Sequence, residues 1–542
     1  MTGNNGHKSA SRFDALIIGA GFAGLYQLHS LRDKLGLSSV VLEAGDGIGG
    51  TWYWNRYPGA RCDSESHVYA YYFSDELLTE WEWTERYPAQ PEIVRYLEFV
   101  ANKLDLKRDI RLGTRVVSAH YLEDENRWIV TTEGGTRFEA TYLIAATGCL
   151  SAANIPAIPG LESFDGEWYH TGQWPHEEVE FRGKAVGQIG TGSTGIQAAP
   201  VIAQTAKHLT VFQRTPNFSV PAHNRPLSAD FKQYVRESRA EIRKLIRSTT
   251  NAHAFKISDR KVFDVSAQER EAIYEAAWEK GGLEFRACFQ DLMIDKAAND
   301  TAADFLKNKI RKIVKDPETA ATLTKIDHPY GTKRPPIDTD YFETFNRENV
   351  SLIDVRANPI TRITPRGIET TDAAYEFDII VFATGFDAIT GPLLKMDIRG
   401  RDGLSIHKAW ETGPWTYLGL QIPGFPNLFT ITGPGSPSVL TNMPVAIEQH
   451  VDWITDCIAD MRNNDLARIE PTAAAADAWG EYVNETASAT LMPQAGHSWY
   501  HGANIPGKPL KFMPYVGGMA HYRTICDDAA SRGYEGFTRQ AR

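Results

Sequence analysis

Two copies of the glycine pattern GxGxxG constrain the fold of this chain more than any other feature. They are Gly19-Ala-Gly21-Phe-Ala-Gly24 and Gly190-Thr-Gly192-Ser-Thr-Gly195. Each copy follows a short apolar run and opens a segment of helical character. In that context the glycines form a tight turn, and backbone N–H groups at the start of the helix approach a pyrophosphate. One copy is a weak signal, but two copies after strands favour two dinucleotide-binding domains of the α/β class.

The residues after the second strand of each unit differ in charge. Glu43 ends the predicted strand 39–43, where an acidic side chain meets a ribose 2′-hydroxyl and repels a 2′-phosphate. Arg214 stands at the corresponding place after the predicted strand 209–213, and its planar guanidinium suits a 2′-phosphate. The alternative for each residue is a solvated charge at a strand end. The contrast predicts FAD or NAD at the first site and NADP at the second.

Composition restricts the class of protein. The chain has 542 residues, too many for one ordinary core, so two or three domains are expected. A net charge of −11 argues against nucleic-acid or anionic-membrane partners. The polar segment 1–13 has no secretory character, no apolar run reaches a membrane span of roughly 18 residues, and a cytoplasmic protein is predicted. Five widely spaced cysteines favour free thiols and no metal site.

A glycine-rich loop at 49–63 combines aromatic and charged side chains. It reads Gly-Gly-Thr-Trp-Tyr-Trp-Asn-Arg-Tyr-Pro-Gly-Ala-Arg-Cys-Asp. Loops of this composition more often carry function than structure. Trp52 and Trp54 are predicted to lie beside a planar ring system, with core packing as the alternative, which we favour for Tyr53.

The rest of the chain is interpreted as two interleaved domains. Alternating strands are predicted over 110–144, and the Ala-Thr-Gly ends at 146–148 and 383–385 are predicted to finish two strands that pair with each other. A Pro-rich linker follows at 154–160, and 226–330 reads as a helical insertion with a solvated, charged face. The predicted division is 1–150 and 387–542 for the first nucleotide domain, 151–225 and 331–386 for the second, and 226–330 for the insertion.

The stretch between the fingerprints, Phe164-x-Gly166-x-x-x-His170-x-x-x-Trp174-Pro175, must link the two nucleotide sites. Together with Gly49-Gly50-x-Trp52-x-x-x-x-Tyr57-Pro58-Gly59-x-x-x-Asp63 it resembles the signatures of the type I Baeyer–Villiger monooxygenases, which are class B flavoprotein monooxygenases. The likeness covers residues 13–540 and is strongest to the phenylacetone and steroid monooxygenase subgroup.

The resemblance implies two Rossmann-like domains, for FAD and NADP, with a helical insertion in the NADP domain. It also implies an NADPH- and O₂-dependent enzyme that converts ketones to esters or lactones through a C4a-peroxyflavin. The partners would be a small-molecule ketone and O₂, with the protein a monomer or weak homo-oligomer.

The resemblance also implies roles for individual residues. Arg334 would stabilise the peroxide and the following adduct, Asp63 would pair with Arg334, and Trp499 would reach the NADP ribose. His170 would tie the linker to the domains rather than act as a base, and Ser438, Val439 and Leu440 would form the substrate pocket. The residues expected at the two nucleotides are Gly19, Gly21, Ala23, Gly24, Glu43, Gly50, Thr51, Trp52, Trp54, Asp63, Tyr69, Val116, Met443, Gly190, Gly192, Ser193, Thr194, Gly195, Arg214, Thr215, Lys333, Arg334 and Trp499.

Three other classes of protein compete with this interpretation. A flavin N- or S-oxygenase shares the fold, but Arg334 and the Trp174-Pro175 ending argue against it. A disulfide reductase would need a cysteine pair, and Cys62 has no cysteine neighbour at short spacing. A flavoprotein without catalytic activity would not need Arg214 and Lys333 at a phosphate beside an Arg334–Asp63 pair.

Overall fold

The computed structural model describes residues 11–542 and contains one mixed sheet and one parallel sheet, each of which carries one glycine fingerprint. Residues 1–10 of the polar N-terminal segment, for which no secretory signal is predicted, lie outside the described residues. In spatial order, the first sheet consists of strands Asp397–Arg399, Val116–Leu122, Arg127–Thr132, Arg137–Ala145, Ser11–Ile18, Ser39–Leu42 and Ile110–Arg111, with Leu428–Thr430 paired to Arg137–Ala145. Strand Ser11–Ile18 is parallel to both of its neighbours, as a Rossmann unit requires.

The second sheet is parallel throughout. Its strands, in spatial order, are Val350–Asp354, His208–Gln213, Ala185–Ile189, Ile379–Phe382 and Glu167–His170. The linker stretch therefore contributes the edge strand Glu167–His170 rather than a free connection. Three smaller sheets pair Ile360–Thr364, Gly367–Thr370 and Ala374–Glu376; Val220–Pro221 and Ile337–Asp338; and Leu466–Pro471 and Phe537–Ala541.

The predicted pairing of the two Ala-Thr-Gly strand ends is wrong. The strand before Ala146 lies in the first sheet, and the strand before Ala383 lies in the second. A Cβ placed on Gly19 would lie 2.6 Å from the carbonyl oxygen of Ala146, and a Cβ placed on Gly190 would lie 2.3 Å from that of Ala383. Each Ala-Thr-Gly therefore packs against the fingerprint of its own domain, so the motif recurs because the domains are equivalent.

The helices surround these sheets and fill the insertion. They are Phe22–His29 with a π-helical extension Ser30–Lys34, Thr51–Trp54, Asp75–Glu80, Gln90–Lys103, Ser193–Thr205, Ala229–Glu237, Arg239–Ser248, Ala267–Lys280, Lys296–Ile313, Pro317–Thr324, Tyr341–Thr344, Gly391–Leu394, Ile406–Ala409, Met443–Asn463, Ala473–Ser488 and Met519–Ser531. Among the described residues, none of these helices combines the length and apolarity that crossing a bilayer requires.

The helical insertion packs in two directions. Helix Ala267–Lys280 is capped by Ser266, whose side chain accepts the N–H of Glu269. It packs with helix Lys296–Ile313 in a core that also includes Tyr87, Phe218 and Ile337 from outside the insertion. Ile242 and Ile246 instead join the core of the first fingerprint domain. Two cations of the insertion's charged surface, Lys232 and Arg236, pair with Glu82 at 2.7 and 3.0 Å.

Candidate active site

The first fingerprint forms the backbone turn that its glycines predict. Gly19 has a φ of +105°, and a Cβ on Gly24 would lie 1.8 Å from the carbonyl oxygen of Gly19, so neither position accepts a side chain. Glu43 is buried, and its carboxylate accepts the N–H of Ala20 at 2.6 Å and that of Gly45 at 2.8 Å. Burial raises the pKa of Glu43, against the effect of these hydrogen bonds. Glu43 thus stabilises the turn, and its carboxylate has further lone pairs that could accept from a ribose hydroxyl.

Both fingerprint helices have N-termini that fit a pyrophosphate. Their N-cap residues are Gly21 and Gly192, and no side chain caps either helix, whereas Ser228 and Ser266 cap helices of the insertion. The first N–H groups are therefore free for an anion. A Cβ on Gly192 would meet no atom within 4 Å, which leaves space beside the backbone. The residues present fit FAD at the first turn and NADP(H) at the second.

Three cations converge beside the second fingerprint. Burial lowers the pKa of Lys333, the charge of Asp327 raises it, and the charges of Arg214 and Arg356 lower it. Arg214 is exposed, and within residues 11–542 neither Arg214 nor Lys333 makes an ion pair. Arg356 donates to Thr215 Oγ1 at 2.8 Å and to Asp327 at 2.7 Å. Sequence analysis placed Arg214, Thr215 and Lys333 here but missed Arg356, which follows a strand 142 residues beyond Arg214.

The aromatic loop joins the two fingerprint domains. Tyr57 donates to Gln197 Oε1 at 2.7 Å, and a Cβ on Gly59 would lie 2.4 Å from the Gln197 carbonyl oxygen. Gln197 belongs to the second fingerprint helix, so the loop of one domain seats directly on the helix of the other. This close approach explains why residue 59 is a glycine.

The two tryptophans of this loop are more exposed than Tyr53 between them. Trp52 is half-buried and donates its indole N–H to Tyr69 at 3.0 Å, with the two rings edge to face. Trp54 is also half-buried, and Thr51 at the start of the short helix is exposed. Tyr53 is buried against Gly45 and Gly47, as core packing requires. The indoles therefore keep accessible ring surface that Tyr53 lacks.

Asp63 and Arg334 meet across 271 residues of sequence in a two-pronged ion pair. Arg334 Nε donates to one carboxylate oxygen at 2.9 Å and Nη2 to the other at 2.7 Å, while Nη1 donates to the carbonyl oxygen of Val439 at 2.7 Å. The side chains are 18% and 27% exposed, so both charges are largely removed from water. Burial works against both charges, but their attraction and hydrogen bonds lower the pKa of Asp63 and raise that of Arg334. The guanidinium is thus fixed in orientation and permanently charged.

Two residues that sequence analysis missed lie near this pair. Tyr500, next to Trp499, is buried, and its electrostatic neighbours include Arg334 and Asp63. His253, from the helical insertion, is also buried and interacts with the same two charges. No local sequence pattern signals His253, because its neighbourhood depends on how the insertion folds back.

The predicted substrate loop begins at a residue with unusual backbone geometry. Ser438 has a φ of +42°, and Ser438–Leu440 forms a 3₁₀ turn before helix Met443–Asn463. Val439 is buried and offers its carbonyl oxygen to Arg334, while Leu440 is half-buried. The loop therefore lies beside the ion pair.

Val116, which the resemblance places at a nucleotide, lies in the core cluster that also contains Leu16 and Ile18 of the first sheet.

The linker stretch connects to both domains. Thr171 and Thr194 hydroxyls lie 3.1 Å apart, and His176 lies 3.0 Å from the Tyr53 hydroxyl. His170 is buried, its Nδ1 accepts the N–H of Gly172 at 3.0 Å, and burial lowers its pKa to about 4.

The aromatic and glycine positions of the linker pack rather than face a ligand. Trp174 and Phe164 pack into cores of the second domain, and Gly166 permits close approach to the Asp378 carbonyl. These contacts fix the path of the chain between the two nucleotide sites.

The loop that carries Trp499 is bound to the residues that follow strand Ile379–Phe382 of the second sheet. Trp499 is half-buried, and its ring centroid lies 4.3 Å from that of Tyr500. Asn504 donates to the carbonyl oxygen of Phe386 at 2.7 Å, and Lys508 forms an ion pair with Asp387. Trp499 adjoins Tyr500, whose electrostatic neighbours include Arg334 and Asp63.

Comparison with known proteins extends over almost the whole chain. Residues 16–277 match the family model described as pyridine nucleotide-disulphide oxidoreductase. The five cysteines are free. A Baeyer-Villiger monooxygenase of Pseudooceanicola batsensis is 44% identical over 97% of this chain and 96% of its own length. The phenazine N-monooxygenase PhzNO1 of Lysobacter antibioticus is 43% identical over 97% of each chain.

Two solved structures share the fold of this chain, and both contain bound nucleotides. An oxidized steroid monooxygenase bound to NADP superposes with a TM-score of 0.93 at 48% identity, over 98% of this chain and 100% of the other. The structure of OTEMO in complex with FAD and NADP has a TM-score of 0.94 at 42% identity, with the same coverage. The α/β class with two Rossmann-type domains is thus confirmed.

Proposed function

This chain belongs to the Baeyer–Villiger monooxygenase family of FAD- and NADPH-dependent enzymes that convert ketones to esters or lactones, and on that premise we propose roles for its residues. Arg334 stabilises the negative charge that develops on oxygen during the reaction, and Asp63 holds Arg334 in place. The observation that carries this proposal is the two-pronged ion pair at 2.7 and 2.9 Å, largely shielded from water. A fixed cation in such surroundings stabilises developing charge without reorganising.

The nucleotides divide between the two fingerprints in this proposal. FAD, when bound and reduced by NADPH, supplies the activation of O₂. The first turn presents free helix N–H groups to its pyrophosphate, and Glu43 accepts from a ribose hydroxyl. Trp52 and Trp54 border the ring system, and Tyr69 fixes Trp52 through the hydrogen bond to its indole.

NADPH is selected over NADH by the cations beside the second fingerprint. Arg214 and Lys333 share the 2′-phosphate, and Thr215, held by Arg356, lines the same site. Asp327, which pairs with Arg356, balances only part of the charge of these three cations, and Arg214 and Lys333 make no ion pair within residues 11–542, so a phosphate group is stabilising beside them. Trp499, held by the fastened loop, reaches the ribose.

The ketone binds beside Arg334 and the Ser438–Leu440 turn, which are in direct contact with each other. Val439 is fixed by its backbone hydrogen bond to Arg334, so the side chain of Leu440 is free to set the accepted size. We place the enzyme in the cytoplasm as a monomer or weak homo-oligomer; light scattering over a concentration range tests the second statement.

The test is product analysis with the FAD-loaded enzyme under ¹⁸O₂. The enzyme receives NADPH and a panel of aryl, cyclic, aliphatic and steroid ketones, and esters or lactones are detected by mass spectrometry. One ¹⁸O atom is expected in each ester formed. NADPH consumption without ester from any ketone would refute the proposal.

N-oxygenation is the second candidate, because a relative of equal similarity is named phenazine N-monooxygenase. The same experiment separates the two, with an aromatic N-heterocycle added to the panel. Labelled N-oxide without labelled ester would support N-oxygenation and leave the fingerprint assignments intact.

A further inference from the structure

A short segment of the helical insertion, 249–253, is fastened beside the proposed ketone site. The N–H of Asn442 donates to the carbonyl oxygen of Asn251 at 3.0 Å, and the N–H of Met519 donates to that of Thr250 at 2.7 Å. Within the segment, Thr249 Oγ1 donates to the carbonyl oxygen of His253 at 2.8 Å. The segment is thus held between the start of helix Met443–Asn463 and that of helix Met519–Ser531.

This fastening places His253 near the ion pair and the substrate turn. The charged groups Arg334, Asp63 and Glu65 and the imidazole of His67 all act on His253. Asn442, which follows Leu440 by two residues, donates its backbone N–H to the Asn251 carbonyl oxygen, so the segment lies beside the Ser438–Leu440 turn. His253 therefore lies where the insertion, the ion pair and the Ser438–Leu440 turn converge.

The imidazole of His253 is buried but has no polar partner of its own. The residue is 6% exposed and stacks on Phe255 with ring centroids 5.4 Å apart. Within residues 11–542 neither ring nitrogen makes a hydrogen bond. In that range the only donor of His253 that is paired is its backbone N–H, which donates to Asn251 Oδ1 at 3.2 Å. Buried His170 and His450 differ, because Nδ1 of each accepts a backbone N–H.

A buried polar group without a partner is unfavourable unless a ligand or water satisfies it. The Nε2 atoms of His170 and His450 are sealed inside protein, whereas the ring nitrogens of His253 are not. Burial, and then the charge of Arg334, lower the pKa of His253 to about 4, so the ring is neutral at physiological pH. A neutral imidazole offers one donor and one acceptor.

Resting on the proposed ketone oxidation, we infer that His253 is a specificity-determining residue that hydrogen-bonds a second polar group of the ketone. Arg334 already supplies charge to the reacting oxygen, and a neutral ring adds little there. The favoured substrates are then ketones that carry a hydroxyl or a second carbonyl. A site that pairs with such a group discriminates strongly against the analogue without it, because its own polar group is then left unpaired.

The experiment compares ketones that differ only in that group. The FAD-loaded enzyme is assayed for ester with 4-hydroxycyclohexanone against 4-methylcyclohexanone, and with 4-hydroxyphenylacetone against 4-methylphenylacetone. The variants are His253→Leu, which removes both hydrogen-bonding atoms, and His253→Gln, which keeps a donor and an acceptor. Phe255→Leu is the control for packing, since it weakens the stack and leaves the imidazole in place.

We expect wild type to prefer the polar ketone of each pair in kcat/KM. His253→Leu should lower this preference about tenfold, equivalent to ~1.4 kcal/mol, mainly through the KM of the polar ketone. His253→Gln and Phe255→Leu should keep most of the preference, and NADPH should reduce the flavin at the wild-type rate in all variants.

Three results would count against the inference. If wild type forms ester but His253→Leu keeps the same preference, the role of His253 is wrong and the proposed function stands. Equal loss in Phe255→Leu would show that packing, not hydrogen bonding, sets the preference. A wild-type enzyme that forms no ester from any ketone would overturn the proposed function and this inference with it.

Discussion

Replacing Arg334 by methionine should abolish oxygenation, while FAD should still bind and NADPH should still reduce it at a measurable rate. The variant keeps an apolar stem but loses two hydrogen bonds to Asp63 and one to the carbonyl oxygen of Val439. Loss of a fixed donor at a developing oxyanion costs roughly 10²–10³ in rate, or ~2.7–4 kcal/mol. Ester formation should fall by at least this factor, and the NADPH consumed should appear as hydrogen peroxide.

The same change should alter how stability depends on pH. In the wild type, Arg334 holds the pKa of Asp63 below its ordinary value. The ion pair therefore stabilises the fold at pH values above the pKa that Asp63 has in the unfolded chain, and this stabilisation is lost as pH falls through the lower pKa of the folded state. Without Arg334, burial raises the pKa of Asp63, so stability should instead fall as pH rises. An enclosed unpaired charge costs ~3–5 kcal/mol, and less is expected here because the Asp63 side chain is 18% exposed.

A double variant separates the two effects. Arg334→Met with Asp63→Asn removes the unpaired charge, so its Tm at pH 8 should recover toward wild type while ester formation stays low. The assays are ester yield per NADPH, hydrogen peroxide formation, flavin absorbance of the purified protein, and Tm at pH 5 and pH 8. Near wild-type ester formation by Arg334→Met would refute the assignment of Arg334 and much of the proposed mechanism.

Three further predictions concern the cofactor, the linker and the pocket. Arg214→Ala should raise the KM for NADPH by roughly 10- to 100-fold, from a charged hydrogen bond of about 1.5–3 kcal/mol, with NADH use little changed; equal loss with both nucleotides would contradict this. His170→Ala should slow turnover without changing the pH profile between pH 6 and 9, because a group with a pKa of about 4 is already neutral there; a limb near pH 6–7 that the variant loses would indicate a base. Leu440→Ala should shift preference toward bulkier ketones in competition assays, and an unchanged ranking would remove Leu440 from the pocket.

Much of the nucleotide chemistry could be read from the chain alone, because it depends on contacts that are local in sequence. The strand, turn and helix of a fingerprint lie within about 30 residues of one another. The sequence around Gly19 and Gly190 therefore suffices to predict the two turns and their helices. Glu43 and Arg214 each follow the next strand, and their charges suffice to predict which nucleotide each turn prefers. The strands Ala185–Ile189 and Ile379–Phe382 were also visible as apolar runs.

Pairing between strands was not determined in this way. The two Ala-Thr-Gly ends have the same local sequence, and only the assembled sheets show that they belong to different domains. The linker likewise gave no sign that residues 167–170 form an edge strand beside residues 379–382, more than 200 residues away.

The proposed site around Asp63 and Arg334 shows most clearly which contacts the sequence predicts and which only folding creates. The sequence by itself determined that Asp63 and Arg334 were candidates, through a resemblance to known signatures. Only the tertiary structure decided that His253, Tyr500 and Arg356 share their surroundings with the residues already singled out. A turn is specified by residues that are neighbours along the chain, whereas a buried charge finds its neighbours through folding, and no periodicity of the sequence encodes contacts across hundreds of residues.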